Sequence, residues 1–210
     1  MARVAELPPP PVGRSGWPWT EGTPIGTSGG ILRQDEWPKI TVVTISFDQA
    51  EFLEETIRSV LLQNYPNLEY IIVDGGSVDD SIKIIRRYED HIDSWVSETD
   101  KGQSHALNKG FARATGNIHA FLNGDDIYEP GALWACAREF EKGHKWIFGQ
   151  VRYYRADVGY WQVPQLPGRR FTDWFVTCPI SQPGCFWAAE LAHAAGPFRE
   201  ELSSFLDYEY

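Results

Sequence analysis

The sequence predicts an α/β fold, a mainly parallel Rossmann-like sheet flanked by helices, joined to a smaller and more irregular half. Three observations carry this expectation. Apolar, β-branched runs of strand length recur at residues 40–46, 68–74, 92–98 and 117–123. A stretch with helical spacing follows each of them, and a turn rich in Gly, Asp and Ser separates each strand from its helix.

Taken in order, "ITVVTIS" (40–46) suits a strand buried on both faces. "AEFLEETIRSVLLQ" (50–63) repeats apolar residues at Phe52, Leu53, Ile57, Val60 and Leu61, a helical stripe. "LEYIIVD" (68–74) is a second strand closed by Gly75-Gly76, and "SVDDSIKIIRRYED" (77–90) a second helix with a Ser cap. "IDSWVSE" (92–98) leads to "SHALNKGFARATG" (104–116), whose Gly116 stops a helix. "NIHAFLN" (117–123) is the fourth strand, and "PGALWACAREFEKG" (130–143) the helix after it. The rhythm then changes. The aromatic run 145–163 predicts a hairpin-like pair, 164–184 an ordered loop region, and 185–196 a strand passing into a short helix.

Residues 1–36, rich in Pro, Gly, Ser and Thr, read as an N-terminal extension that packs through Trp17 and Trp19 without carrying chemistry. Residues 37–210 form the domain, with a nucleotide-binding half over about 37–130 and an acceptor-side half over about 131–210. The formal net charge of -10 argues against broad binding to nucleic acid. The three cysteines lack metal-ligand spacing, so a reducing compartment is the default. No run approaches the roughly 20 apolar residues that span a bilayer. The reading is cytoplasmic, with peripheral contact at the inner membrane face left open. Most of the nine tryptophans, Trp187 included, are expected to serve the core.

In an open α/β sheet, ligands bind beyond the carboxyl ends of the strands. Acids stand at all four ends: Asp48 after Ser46-Phe47, Asp74 before Gly75-Gly76, Asp100 in "ETDKG", and Asp125-Asp126 after Asn123-Gly124. Turn formation explains any one of them. Like charges from four strand ends on one rim repel, and a cation would resolve the conflict. Asp125 and Asp126 suit Mn²⁺ or Mg²⁺, which are held by one or two carboxylates together with phosphate oxygens. The five histidines show no zinc spacing, and His105 and His119 read as helix-surface or strand residues. "SFDQAEF" lacks the glycine patterns of a P-loop or a dinucleotide fold, and no Gly-x-Ser-x-Gly elbow is present.

The run from "TVVTISFDQAEF" through "IIVDGGSVDDS", and then "SETDKGQSHALNKGFARATGNIHAFLNGDD", resembles the family-2 inverting glycosyltransferases with the GT-A fold. The resemblance is close over residues 40–130 and looser to the last residue. It implies a nucleoside-diphosphate sugar as donor and a hydroxyl acceptor, glycan, lipid-linked or other, in polysaccharide or cell-envelope assembly. It places the donor against Ser46, Phe47, Asp48, Asp74, Lys101, Gly102, Asn108, Asn123 and Gln182, and the metal at Asp125 and Asp126. The family's second acid after strand two is Gly75 here, and the first acid of its Asp-x-Asp motif is Asn123. Asp207 in "SSFLDYEY" matches the general base, and the resemblance implies that the chain stops short of the family's full domain. Asn123 and Gly75 keep a second reading open, a catalytically impaired nucleotide-sugar-binding module. A sugar nucleotidyltransferase ranks third, because the basic Gly-rich loop it needs after strand one is missing.

Overall fold

The computed structural model describes residues 4–24, 36–155, 157, 159–162 and 180–201. Strands and helices alternate as expected: β1 Ile40–Ser46, α1 Ala50–Leu61, β2 Leu68–Asp74, α2 Ser81–Arg87, β3 Ser94–Ser97, α3 Gln103–Phe111, β4 Ile118–Asn123 and α4 Ala132–Glu141. There follow β5 Trp146–Phe148, the hairpin strands β6 Arg152–Arg155 and β7 Gly159–Gln162, then β8 Cys185–Ala188 and α5 Ala189–Ala195. The main sheet runs β3-β2-β1-β4-β8-β5, and β6 pairs with β7 in a separate ribbon. β3, β2, β1 and β4 are parallel, whereas β8 is antiparallel to both of its neighbours.

β1 sits at the centre because both of its faces are apolar, with every one of its residues buried. Val42 faces α1, α2 and α4, packing with Leu53, Ile57, Ile85, Leu133 and Trp134. Val43 and Ile45 pack on the opposite side with Ala106, Leu107, Phe121 and Trp187. Truncating a wholly buried residue such as Ile57 to Ala would cost about 2–5 kcal/mol. On α3, Gly110 rests directly on Val43, so a methyl group there would overlap the valine and lift the helix from β1. Trp187 is buried, as expected of a core tryptophan.

The structure redraws several expected boundaries. α2 begins at Ser81 after Asp80, without a side-chain cap. Ser77 instead gives its hydroxyl to the buried Asp74 carboxylate at 2.5 Å, which needs donors more than the helix needs a cap. α3 ends at Phe111 rather than Gly116. The chain beyond is drawn to the amino end of the sheet, where Gly116 N–H donates to Thr41 Oγ1 at 2.9 Å and Thr115 N–H to Glu69 Oε2 at 2.7 Å. The hairpin spans 152–162 alone, since 146–148 joins the main sheet beside β8.

Residues 4–24 lie against the domain. The wholly buried Arg58 on α1 donates to the carbonyls of Pro8 (2.8 Å), Pro18 (3.0 Å) and Trp19 (2.6 Å), and to Tyr88 Oη (2.9 Å). Trp19 is buried beneath that guanidinium, and Trp17 donates its indole N–H to the Tyr128 carbonyl at 2.9 Å.

Candidate active site

In the parallel part of the sheet, the chain moves from β1 to β2 on one side and reaches β4 on the other. The crevice therefore opens at the carboxyl ends of β1 and β4, where neighbouring connections depart in opposite directions. A cavity of about 370 Å³ lies there, lined by Ile45, Ser46, Phe47 and Gln49 at the end of β1, Asn123 and Asp125 at the end of β4, and Asp100, Gly102, Gln103 and Ala106 at the start of α3. A backbone bond from Gly124 N–H to the Ile45 carbonyl (2.9 Å) and one from Gly75 N–H to the Ser46 carbonyl (2.8 Å) pin the loops around the end of β1.

The expected donor residues divide by what they already hold. Ser46 is buried, yet its hydroxyl has no hydrogen-bond partner among the described residues. A buried hydroxyl left unpaired is costly unless a ligand completes it. Phe47 presents a largely exposed ring, 62% accessible, at the mouth of the cavity. Asp125 is exposed, lines the cavity, and makes no described ion pair or hydrogen bond. Gly102, with φ of 112°, turns the chain into α3, so the first turn of that helix borders the cavity. Unpaired N–H groups at a helix start suit an anion.

Other residues are committed to the scaffold. Asp74 is wholly buried and accepts from Gly76 N–H (3.1 Å), Ser77 N–H (2.9 Å), Ser77 Oγ (2.5 Å) and Ser97 Oγ (2.7 Å). Asp48 accepts from Val78 N–H at 2.8 Å while its own N–H donates to Ser77 Oγ at 2.8 Å, so it clips two loops together. Asn108 grips Phe198 in both directions, donating to its carbonyl and accepting from its N–H, each at 2.9 Å. Gln182 donates to the Phe121 carbonyl at 2.7 Å, which sets it beside Asn123. Lys101 is exposed, with Glu200 4.0 Å from its ammonium. Asn123 donates to Asp126 Oδ2 at 3.1 Å, which turns Asp126 back toward the strand end and leaves Asp125 as the acid facing the cavity. Asp207 lies outside the described residues.

Gln49 and Gln103 line the cavity and were not among the expected site residues. Gln49 fills the space over Gly124, where a Cβ would overlap its Oε1. The signal available in advance was position: each follows a strand-end turn and stands at a helix start.

Among the described residues, no three His, Cys, Asp or Glu side chains come together as a ready metal cage. The residues present fit Mn²⁺ or Mg²⁺ in another way: Asp125, which lines the cavity without a partner among the described residues, would offer one carboxylate oxygen, and a bound diphosphate would supply the others. No helix among the described residues is long and apolar enough to cross a membrane.

A family model described as "Glycosyl transferase family 2" matches residues 41–195. An uncharacterized glycosyltransferase of Mycobacterium tuberculosis (strain H37Rv), Rv1514c, is 35% identical over 126 residues, covering 57% of this chain and 48% of the relative. The crystal structure of Staphylococcus aureus TarS 1-349 with UDP superposes at a TM-score of 0.66 and 22% identity, over 80% of this chain and 52% of that one. The mannosyltransferase PcManGT of Pyrobaculum calidifontis, in complex with GDP-Man and Mn²⁺, superposes at 0.63 and 20% identity, over 84% and 52%. The chain thus spans half or less of the length of the curated relatives it first matches, 33% and 48%. The shared fold is the GT-A arrangement, a mixed six-stranded sheet flanked by helices with a small second sheet.

Proposed function

The chain belongs to glycosyl transferase family 2, and on that premise we propose that it transfers a sugar from a nucleoside-diphosphate sugar to a hydroxyl acceptor, with inversion and with Mn²⁺ or Mg²⁺. One observation carries the reading. At the β1/β4 crevice a buried unpaired hydroxyl, Ser46, and an unpaired carboxylate, Asp125, share a cavity with an exposed aromatic ring and the start of α3. Such a set supports a ligand with a flat base, hydroxyls and an anionic, metal-bridged diphosphate.

In this proposal Phe47 packs against the base, and Ser46 completes its hydrogen bonding on the donor. Asp125 is the direct metal ligand, and Asp126, oriented by Asn123, stands behind it. A divalent cation there would offset the charge growing on the departing diphosphate. The first turn of α3 receives phosphate oxygens. Asp74, Asp48 and Asn108 act one step back, holding the rim loops in place. Asp207 takes the acceptor's proton during a single displacement, a role that rests on the resemblance of "SSFLDYEY". Polysaccharide or cell-envelope glycan assembly belongs to the same proposal.

The second reading, a donor-binding module without transfer, draws on Asn123. It puts a neutral amide where the motif has an acid, so the site carries one charge fewer, and that amide donates to Asp126. A thermal-shift screen against UDP-, GDP-, dTDP- and CDP-linked sugars, with and without Mn²⁺, tests the binding half of the proposal. Stabilisation by at least one donor, larger with Mn²⁺, is expected, and no response to any donor would overturn the proposal. Release of nucleoside diphosphate on adding acceptor glycans separates the two readings. Asp207→Asn should bind donor and lose transfer, whereas equal loss of both would assign Asp207 a structural role.

A further inference from the structure

Gly75 stands where the sequence motif would place a second acid after β2, and the structure shows what occupies that space. A Cβ at residue 75 would come 2.7 Å from Asp100 Oδ2 and 3.2 Å from Phe47 Cδ2. The carboxylate of Asp100 thus reaches across from the β3–α3 turn to lie directly over the glycine, beside the exposed Phe47 ring. Asp100 is half-buried, and one of its oxygens, Oδ1, is engaged by Gly102 N–H at 2.8 Å. Oδ2 has no described hydrogen-bond donor. Both Asp100 and Phe47 line the cavity that also holds the unpaired Ser46 hydroxyl.

We propose that Asp100 is the base-reading residue of this site and that it selects uracil or thymine. The proposal rests on the nucleotide-binding reading given above. A flat ring laid against Phe47 brings its polar edge to Oδ2. An ionised carboxylate only accepts hydrogen bonds, so the edge facing it must donate. Uracil and thymine offer a single imide N–H there. Cytosine offers a lone pair at the same ring position and is repelled. Guanine offers two adjacent donors and is best met by both oxygens of a carboxylate, and the Gly102 N–H bond turns Oδ1 toward the start of α3, which weakens that two-oxygen grip. Gly75 is part of the device, because any side chain there would displace the Asp100 carboxylate.

Calorimetry on the whole chain with UDP, dTDP, GDP and CDP, each with Mn²⁺, tests this. UDP and dTDP should bind roughly tenfold or more tightly than CDP and GDP, the difference expected of one charge-assisted hydrogen bond. Asp100→Asn should weaken UDP by roughly tenfold and leave CDP unchanged or tighter, since an amide presents a donor as readily as an acceptor. Gly75→Ala, which keeps the charge and moves it, should erode the same preference, with its fold checked by thermal melting. Equal binding of CDP or GDP by the wild type, or an undiminished UDP preference in folded Asp100→Asn, would overturn the assignment of Asp100 alone. Failure of folded wild type to bind any of the four would overturn the nucleotide reading and this inference with it.

Discussion

The two ends of the parallel strands are built to opposite specifications. At the amino ends, the Glu69 carboxylate on β2 is buried and saturated. It accepts from Lys39 Nζ (2.7 Å), Thr41 Oγ1 (2.5 Å), Thr115 N–H (2.7 Å) and Thr115 Oγ1 (2.5 Å). Burial alone would raise its pKa, but these donors outweigh burial and bring it down to about 2. The neighbouring His119 is stacked on Phe111 and pushed below its ordinary pKa by burial. At the carboxyl ends, the Ser46 hydroxyl, the Asp125 carboxylate and one Asp100 oxygen face a shared cavity without described donors. A saturated polar group fastens the fold, whereas an unsaturated one held in a cavity is poised for a ligand. In this sheet the count of unmade hydrogen bonds, more than the presence of an acid, separates the acids spent on the fold from those open to a ligand.

That contrast breaks most visibly at Asp125. Asp125→Ala should reduce transfer at least about 100-fold while shifting Tm by less than about 2 °C, because its carboxylate makes no hydrogen bond or ion pair among the described residues. Near-normal turnover would remove the metal assignment. Glu69→Ala should do the reverse, costing about 3 kcal/mol in urea unfolding by stranding Lys39 and two threonines, with nucleotide affinity unchanged. The pH dependence follows from the lowered pKa. A depressed carboxylate stabilises the fold above its unfolded value and loses that contribution as pH falls through its folded value. Wild-type stability should therefore fall by on the order of 2 kcal/mol between about pH 5 and pH 2, after allowance for solvent at the partly exposed Lys39, and this component should vanish in Glu69→Gln. The smallest effect is expected at Ser46. Ser46→Ala removes a buried hydroxyl that has no partner among the described residues, so the ligand-free protein should be unchanged or stabilised by up to about 1 kcal/mol while donor affinity falls a few-fold.

Much of this contrast was legible in advance at the level of elements. The β-branched runs and helical stripes located the parallel core, and the rule for open sheets located the rim. The acids at the strand ends were visible too, but their roles were not. Asp74 and Asp125 look alike in sequence, each standing at the carboxyl end of an apolar strand. They differ because Ser77 and Ser97 surround the first with donors, and Ser97 comes from a neighbouring strand 23 residues away. Asn108 matched the motif bordering the donor, yet both ends of its amide hold Phe198, 90 residues on. The exchange between Gly75 and Asp100 joins turns 25 residues apart, and only the packed structure shows that one makes room for the other. The start of α2 depends on the same kind of pairing, since Ser77 answers a buried carboxylate rather than the helix next to it. Pairings of this kind depend on which strands become neighbours, and local periodicity carries no information about that.

The most direct test of the contrast between the two ends is hydrogen–deuterium exchange of the whole chain with and without a UDP-sugar and Mn²⁺. Added donor should slow exchange in peptides covering 45–49, 100–106 and 123–126, and leave those covering 39–41, 67–69 and 115–119 unchanged. Protection confined to the amino-end peptides, or donor binding that protects none of the three carboxyl-end segments, would contradict the account.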